Sequence, residues 1–103
     1  MEILFFNNRS QRFFESLDPP NRSRAKRMFE LLGQYQYDLG MPHSKALGNG
    51  LFELRIMGAI HIRFMYAFYN SNTWILHGFI KKTNQIPQRD LNYAKSQLKS
   101  LLQ

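Results

Sequence analysis

Residues 51–69 read LFELRIMGAIHIRFMYAFY, and their apolar side chains recur at every second position. Phe52, Leu54 and Ile56 alternate with Glu53, Arg55 and Met57; after Gly58-Ala59, the residues Ile60, Ile62, Phe64, Tyr66 and Phe68 alternate with His61, Arg63 and Met65. That period belongs to a half-buried strand, so the stretch predicts a β-hairpin. A one-residue slip in pairing would lay the apolar face of one strand beside the polar face of the other. A loop of residues 57–59 avoids the mismatch by pairing Ile56 with Ile60, Arg55 with His61 and Glu53 with Arg63. Gly58-Ala59 alone suits a two-residue turn but mismatches the faces. The longer loop is therefore expected, and it puts two arginines, a histidine and one carboxylate on one sheet face.

Working outward, WILHGFI at 74–80 is apolar on both sides apart from His77 and reads as a central strand, with NSNT at 70–73 as the turn before it. Two lysines, Lys81 and Lys82, follow directly, and no acidic residue stands within six positions of them. Pro87 opens a final helix whose apolar stripe is Leu91, Ala94, Leu98, Leu101 and Leu102. Upstream, MPHSKALGN at 41–49 has no period and reads as a loop. Ala25, Met28, Phe29, Leu32 and Tyr35 recur at helical spacing, with Gly40 as the terminator, and Phe13, Phe14 and Leu17 mark a shorter helix over 10–17 stopped by Asp18-Pro19-Pro20. Ile3 to Phe6 is a first strand. The expectation is one α+β domain over residues 1–103, in the order β-α-α-β-β-β-α, with an antiparallel-rich sheet, helices packed on one face and the other face open.

Fourteen Lys and Arg stand against seven Asp and Glu, for a net charge of +7. Such an excess attracts polyanions: nucleic acid, an anionic membrane surface or an acidic protein. Arg22, Arg24, Lys26 and Arg27 on the second helix are either a solvated face or a contact for phosphate or an acidic partner. Cysteine is absent, which excludes disulfides, thiolate metal sites and a thiol nucleophile, and three histidines at 43, 61 and 77 do not have metal-ligand spacing. The apolar run in MEILFFNN is too short for a signal-peptide core or a membrane span, so the expectation is a cytoplasmic protein with no membrane association, metal or cofactor.

LGNGLFELR at 47–55, IRFMY at 62–66, and HGFIKKT at 77–83 with Pro87 four residues on together resemble the RelE/ParE superfamily of bacterial and phage toxins, and most closely its HigB-like, phage Gp49-related branch. The resemblance spans nearly the whole chain. It implies the toxin of a type II toxin-antitoxin pair: a metal-independent endoribonuclease (mRNA interferase) acting on mRNA in the ribosomal A site, neutralised by a HigA-like helix-turn-helix antitoxin. Two other readings differ in class: a ParE-like inhibitor of DNA gyrase without catalysis, and a basic RNA-binding module.

Carried over by the resemblance, Arg55 and Arg63 match basic residues of adjacent strands, and Lys81 and Lys82 match a basic pair after the last strand; Arg63 and one lysine are assigned to the scissile phosphate. Cleavage by attack of a 2′-hydroxyl needs a base, cations for the phosphoryl charge and an acid for the leaving 5′-oxygen. Candidates for proton transfer are His43, His61, Lys45 and Tyr93, the last near a position where some relatives carry a functional tyrosine. Lys45, His61 and Arg89 are expected to contact RNA. Glu53 replaces a lysine of some RelE relatives and is either the salt-bridge partner of Arg63 or a base. His77 reads as a satisfied interior imidazole or a site residue, and Trp74 and the phenylalanines as core.

Overall fold

The computed structural model describes residues 2–103. Strand β1 (Ile3–Phe5) leads into helices α1 (Asn8–Ser16) and α2 (Pro19–Tyr35), then β2 (Ser44–Gly48), β3 (Leu51–Ile56), β4 (Ile62–Tyr69), β5 (Asn72–Ile80) and helix α3 (Gln88–Leu102). The five strands form one sheet in the order β1-β5-β4-β3-β2. Only the β1–β5 pair is parallel. The α+β class and the antiparallel-rich sheet hold.

Local chemistry explains most boundaries. Asn7 caps α1, its side-chain oxygen accepting from the Ser10 backbone N–H at 2.8 Å. Pro19 and Pro20 occupy the first turn of α2, where their missing N–H groups cost nothing. The turn between β4 and β5 places Asn70 and Ser71 at φ of 51° and 62°, the left-handed geometry of a tight hairpin.

Four expectations need correction. Residues 44–48, inside the stretch read as loop, form an edge strand paired to β3 through Ser44–Leu54, Lys45–Glu53 and Ala46–Phe52. Its pattern was invisible because an edge strand buries little; the pairing is anchored by a hydrogen bond between the Ser44 and Tyr66 hydroxyls. The element order is accordingly β-α-α-β-β-β-β-α. Second, the β3–β4 loop covers 57–61, so Ile56 pairs with Ile62, Arg55 with Arg63 and Glu53 with Met65. A shift of two residues leaves the faces matched, so alternation alone could not exclude it. Third, α2 stops at Tyr35, where Gln36 takes φ 53°, ahead of Gly40.

Fourth, helices cover both faces of the sheet. Leu54, Ile56, Ile62, Phe64, Tyr66 and Ile75 pack beneath α1 and α2 with Leu17, Ala25 and Leu32. Leu51, Met65, Ala67, Leu76 and Phe79 pack beneath α3 with Ala94, Leu98 and Leu101. Burial of β4 at six successive positions, Ile62 to Ala67, follows from this sandwich.

Gly78 marks the tightest approach between α1 and the sheet. A Cβ there would press on the Phe13 ring and sit 2.8 Å from Cε1 of Phe64, two rings that already meet edge to face. Gly78→Ala is expected to cost about 1–3 kcal/mol, measured as a lower urea midpoint with an unchanged slope.

Candidate functional site

Helix α3 shelters only part of its sheet face, crossing β5 and β4 toward Leu51. The corner formed by β2, the ends of β3 and β4 and the 57–61 loop lies outside it, and alternation fixes what that corner presents. Glu53 and Arg55 of β3, with Arg63 and Met65 of β4, share the α3 side, while their neighbours point to α1 and α2.

The centre of the corner is a carboxylate held between two guanidinium groups. Arg55 Nε donates to Glu53 Oε1 at 3.1 Å. Arg63 Nε stands 3.8 Å from Glu53 Oε2, and neither of these two atoms has a hydrogen-bond partner among the described residues. Arg63 is also tied through Nη1 to the Ile62 carbonyl at 3.1 Å. Glu53 is 1% exposed and Arg63 6%, whereas the Arg55 side chain keeps 21% of its surface open. Burial lowers the Arg63 pKa from its ordinary value; Glu53 opposes the shift and Arg55 adds to it. Two cations against one anion leave a net positive charge, and the accessible part of it is Arg55.

Around this centre the register gathers further candidates. Lys45 of β2 stands opposite Glu53, and the His43 carbonyl accepts from Arg55 N–H at 2.8 Å, which puts His43 on one flank of Arg55. His61, two residues before Arg63, accepts through its backbone carbonyl from the Lys81 N–H at 2.7 Å, which ties it to the end of β5.

Four residues fall elsewhere than one pocket around Arg55 and Arg63. Lys81 and Lys82 border a depression at the end of the sheet with His61, and Arg55 and Arg63 are not among its lining residues. Successive residues leave a strand in opposite directions, and Lys82 accordingly also borders a hollow with Phe13 and Arg89 on the α1 side. Arg89 thus lies beside Lys82 and away from the corner. Tyr93 is turned toward α1, its ring 4.9 Å from His77 in an edge-to-face pair, with the Arg9 guanidinium 4.3 Å over its face. Arg9 carried no signal in the sequence; only the tertiary fold brings it to Tyr93. Neither Tyr93 nor His77 reaches the corner.

His77 serves packing. It is 3% exposed, stacks on Phe79, and its Nε2 lies 2.8 Å from Asp90 Oδ1 of α3, while Nδ1 has no partner among the described residues. This suits a neutral imidazole donating from Nε2. Burial lowers the His77 pKa, outweighing the support from Asp90, and Arg9 pushes the same way as burial. The unfolded chain, whose imidazole titrates near ~6.5, therefore takes up more protons in acid than the fold does. Stability contributed by neutral His77 is complete above that pH and declines as pH falls below it. Thermal midpoints should drop between about pH 7 and 5.5, and His77→Gln should flatten that part of the profile.

Among the described residues no helix is long and apolar enough to cross a membrane, and no cluster of His, Cys, Asp or Glu could hold a metal ion.

The described residues thus form an α+β sheet sandwiched by helices that carries an arginine–carboxylate cluster with Arg55 part-exposed. The family model of the phage-derived Gp49-like proteins (DUF891) matches residues 12–99, and the chain belongs to that family, a toxin-antitoxin-type family of the RelE-like superfamily. Comparison with curated proteins gives no significant match.

Proposed function

We propose that this protein is a HigB-like toxin that cleaves mRNA on the ribosome without a metal, by attack of a 2′-hydroxyl on the adjacent phosphorus. The observation that carries the reading is the Glu53-centred pair of arginines with Arg55 part-open to solvent, on the α3 side of the sheet. Arg55 receives a non-bridging phosphate oxygen. Glu53 fixes the direction of Arg55, and Arg63, buried behind it, acts through Glu53 and the local field. Glu53 is thus a positioning residue: both its oxygens face guanidinium groups and it has almost no surface through which a hydroxyl could approach.

In-line displacement needs its base and acid on opposite sides of phosphorus, and His43 and His61 lie in the segments just ahead of β2 and β4, the two strands that border β3. One takes the 2′-hydroxyl proton as the O2′–P bond forms; the other gives a proton to the 5′-oxygen as the P–O5′ bond breaks, leaving a 2′,3′-cyclic phosphate and a 5′-hydroxyl. Lys45, Lys81 and Lys82 attract the flanking backbone. A shallow corner orders a flexible RNA poorly, which favours a message already held by the ribosome, where positioning is supplied in advance. A net charge of +7 likewise suits neutralisation by an acidic segment of a helix-turn-helix antitoxin.

Induction in cells followed by primer extension tests this. Growth arrest with messages shortened at ribosome-occupied codons, both relieved by Arg55→Ala, is the expected result. Intact transcripts together with gyrase-linked DNA breaks would replace the reading with a gyrase inhibitor.

A further inference from the structure

The end of the sheet beyond Arg63 holds a feature that phosphate chemistry leaves unexplained. Of the seven large apolar residues that stand well exposed among the described residues, three, Met57, Ile60 and Ile80 at 61%, 37% and 39%, lie at this end. Ile60 and Ile80 line a depression of about 350 Å³ together with His61, Lys81, Lys82 and Asn84, and no acidic residue lines it. The floor is fixed by the ladder bond from Lys81 N–H to the His61 carbonyl. The rim is fixed by Thr83, whose hydroxyl donates to the Gln85 carbonyl at 2.7 Å and so shapes the loop that carries Asn84. Asn84 is exposed.

Apolar walls, an imidazole and two lysines in one small hollow match a particular ligand. A bare phosphate has no use for exposed isoleucines, and an apolar peptide would leave the lysines without counter-charge. A nucleotide satisfies both, with its base between aliphatic or ring surfaces and its phosphate on the cations. The volume lies at the small end of ligand pockets and suits one nucleotide better than a chain segment. We infer that this hollow is a base-reading subsite for the nucleotide beside the scissile phosphate: Ile60 and Ile80 hold the base, Lys82 holds its phosphate, and the Asn84 side-chain amide, a donor and an acceptor side by side, reads the base edge. The inference extends the RNA-cleaving reading by naming what selects the cut site.

The test is a ¹⁵N-resolved titration of the full chain with each of the four ribonucleoside 5′-monophosphates, with inorganic phosphate and nucleosides as controls. Saturable shifts at the Ile60, His61, Lys81 and Asn84 amides are expected, with an affinity spread of about tenfold across the bases that Asn84→Ala removes. Ile80→Ala should weaken all four nucleotides by about tenfold, and Lys82→Gln should weaken nucleotides but not nucleosides. No shift up to about 10 mM, or shifts reproduced in full by inorganic phosphate, would overturn the subsite, as would a response only to a protein partner. Saturable, base-selective shifts in a protein that cuts no RNA would keep the subsite and sink the nuclease. Cleavage whose site preference survives Asn84→Ala, without nucleotide shifts, would do the reverse.

Discussion

Arg55→Ala is expected to slow RNA cleavage about a hundredfold while the fold remains nearly as stable as before. The large effect follows from its position: Arg55 is the more solvent-open member of the guanidinium pair, held by Glu53. The small stability effect follows from what remains. Glu53 loses one partner but keeps Arg63, so the buried charges still cancel. Because Arg63 still faces the carboxylate, the loss is expected to stay below the roughly 3–5 kcal/mol of stripping a buried charge of its partner. Single-turnover cleavage of a ribosome-bound message, alongside a melting curve, measures both. Arg63→Ala is a poorer probe, because removing a guanidinium that is 6% exposed disturbs packing as well as charge.

Glu53→Ala should have the largest effect on stability of any single substitution in the corner. It strips the carboxylate from between two guanidinium groups and leaves Arg63, 6% exposed, without its counter-charge. Removing one partner of a buried ion pair costs on the order of 3–5 kcal/mol, whereas replacing the whole pair by apolar side chains is often neutral. Urea unfolding should therefore show Glu53→Ala well below the native protein and the double variant Glu53→Leu/Arg63→Met close to it. A loss under about 1 kcal/mol for Glu53→Ala would mean that Arg63 finds solvent or another partner.

Much of this geometry could be read from residues 51–69. Their alternation places Glu53, Arg55 and Arg63 on one face, whichever even-numbered shift of register is chosen, so the charge cluster was legible even though its pairing was not. The exact register depends on the 57–61 loop, where Gly58 lies near α2: a Cβ there would stand 3.4 Å from Nη1 of Arg24. Nothing within the hairpin reports such a neighbour.

Edge strand β2 was hidden for a different reason. It is short, interrupted by a bulge between Ala46 and Gly48, and exposed along most of its length, so no apolar period survives in it. The second helix layer was encoded, however. Met65 and Ala67 on the side of β4 shared with Arg63 are as apolar as the opposite side, which is the pattern of a strand buried on both faces. The outward turn of Tyr93 depends on where α3 crosses the sheet, and helical periodicity fixes a helix's apolar stripe without fixing the angle at which it packs.

The register also explains why the two lysines stand apart from the arginines. Phe79 pairs with Arg63 and is buried under α3, so Lys81 can share that face only beyond the ladder, next to His61. The cations of this end are therefore divided between Arg55 and Arg63 on β3 and β4 and the two lysines around the depression beside His61.

The chemistry of the cut ends is the most direct check. With chelator present, wild-type protein acting on a ribosome-bound message should leave 2′,3′-cyclic phosphate and 5′-hydroxyl termini, and a single 2′-deoxy substitution at the cut nucleotide should stop the reaction. Ends bearing 5′-phosphate, or cleavage that persists through the 2′-deoxy position, would contradict attack by the 2′-hydroxyl at the Arg55 corner.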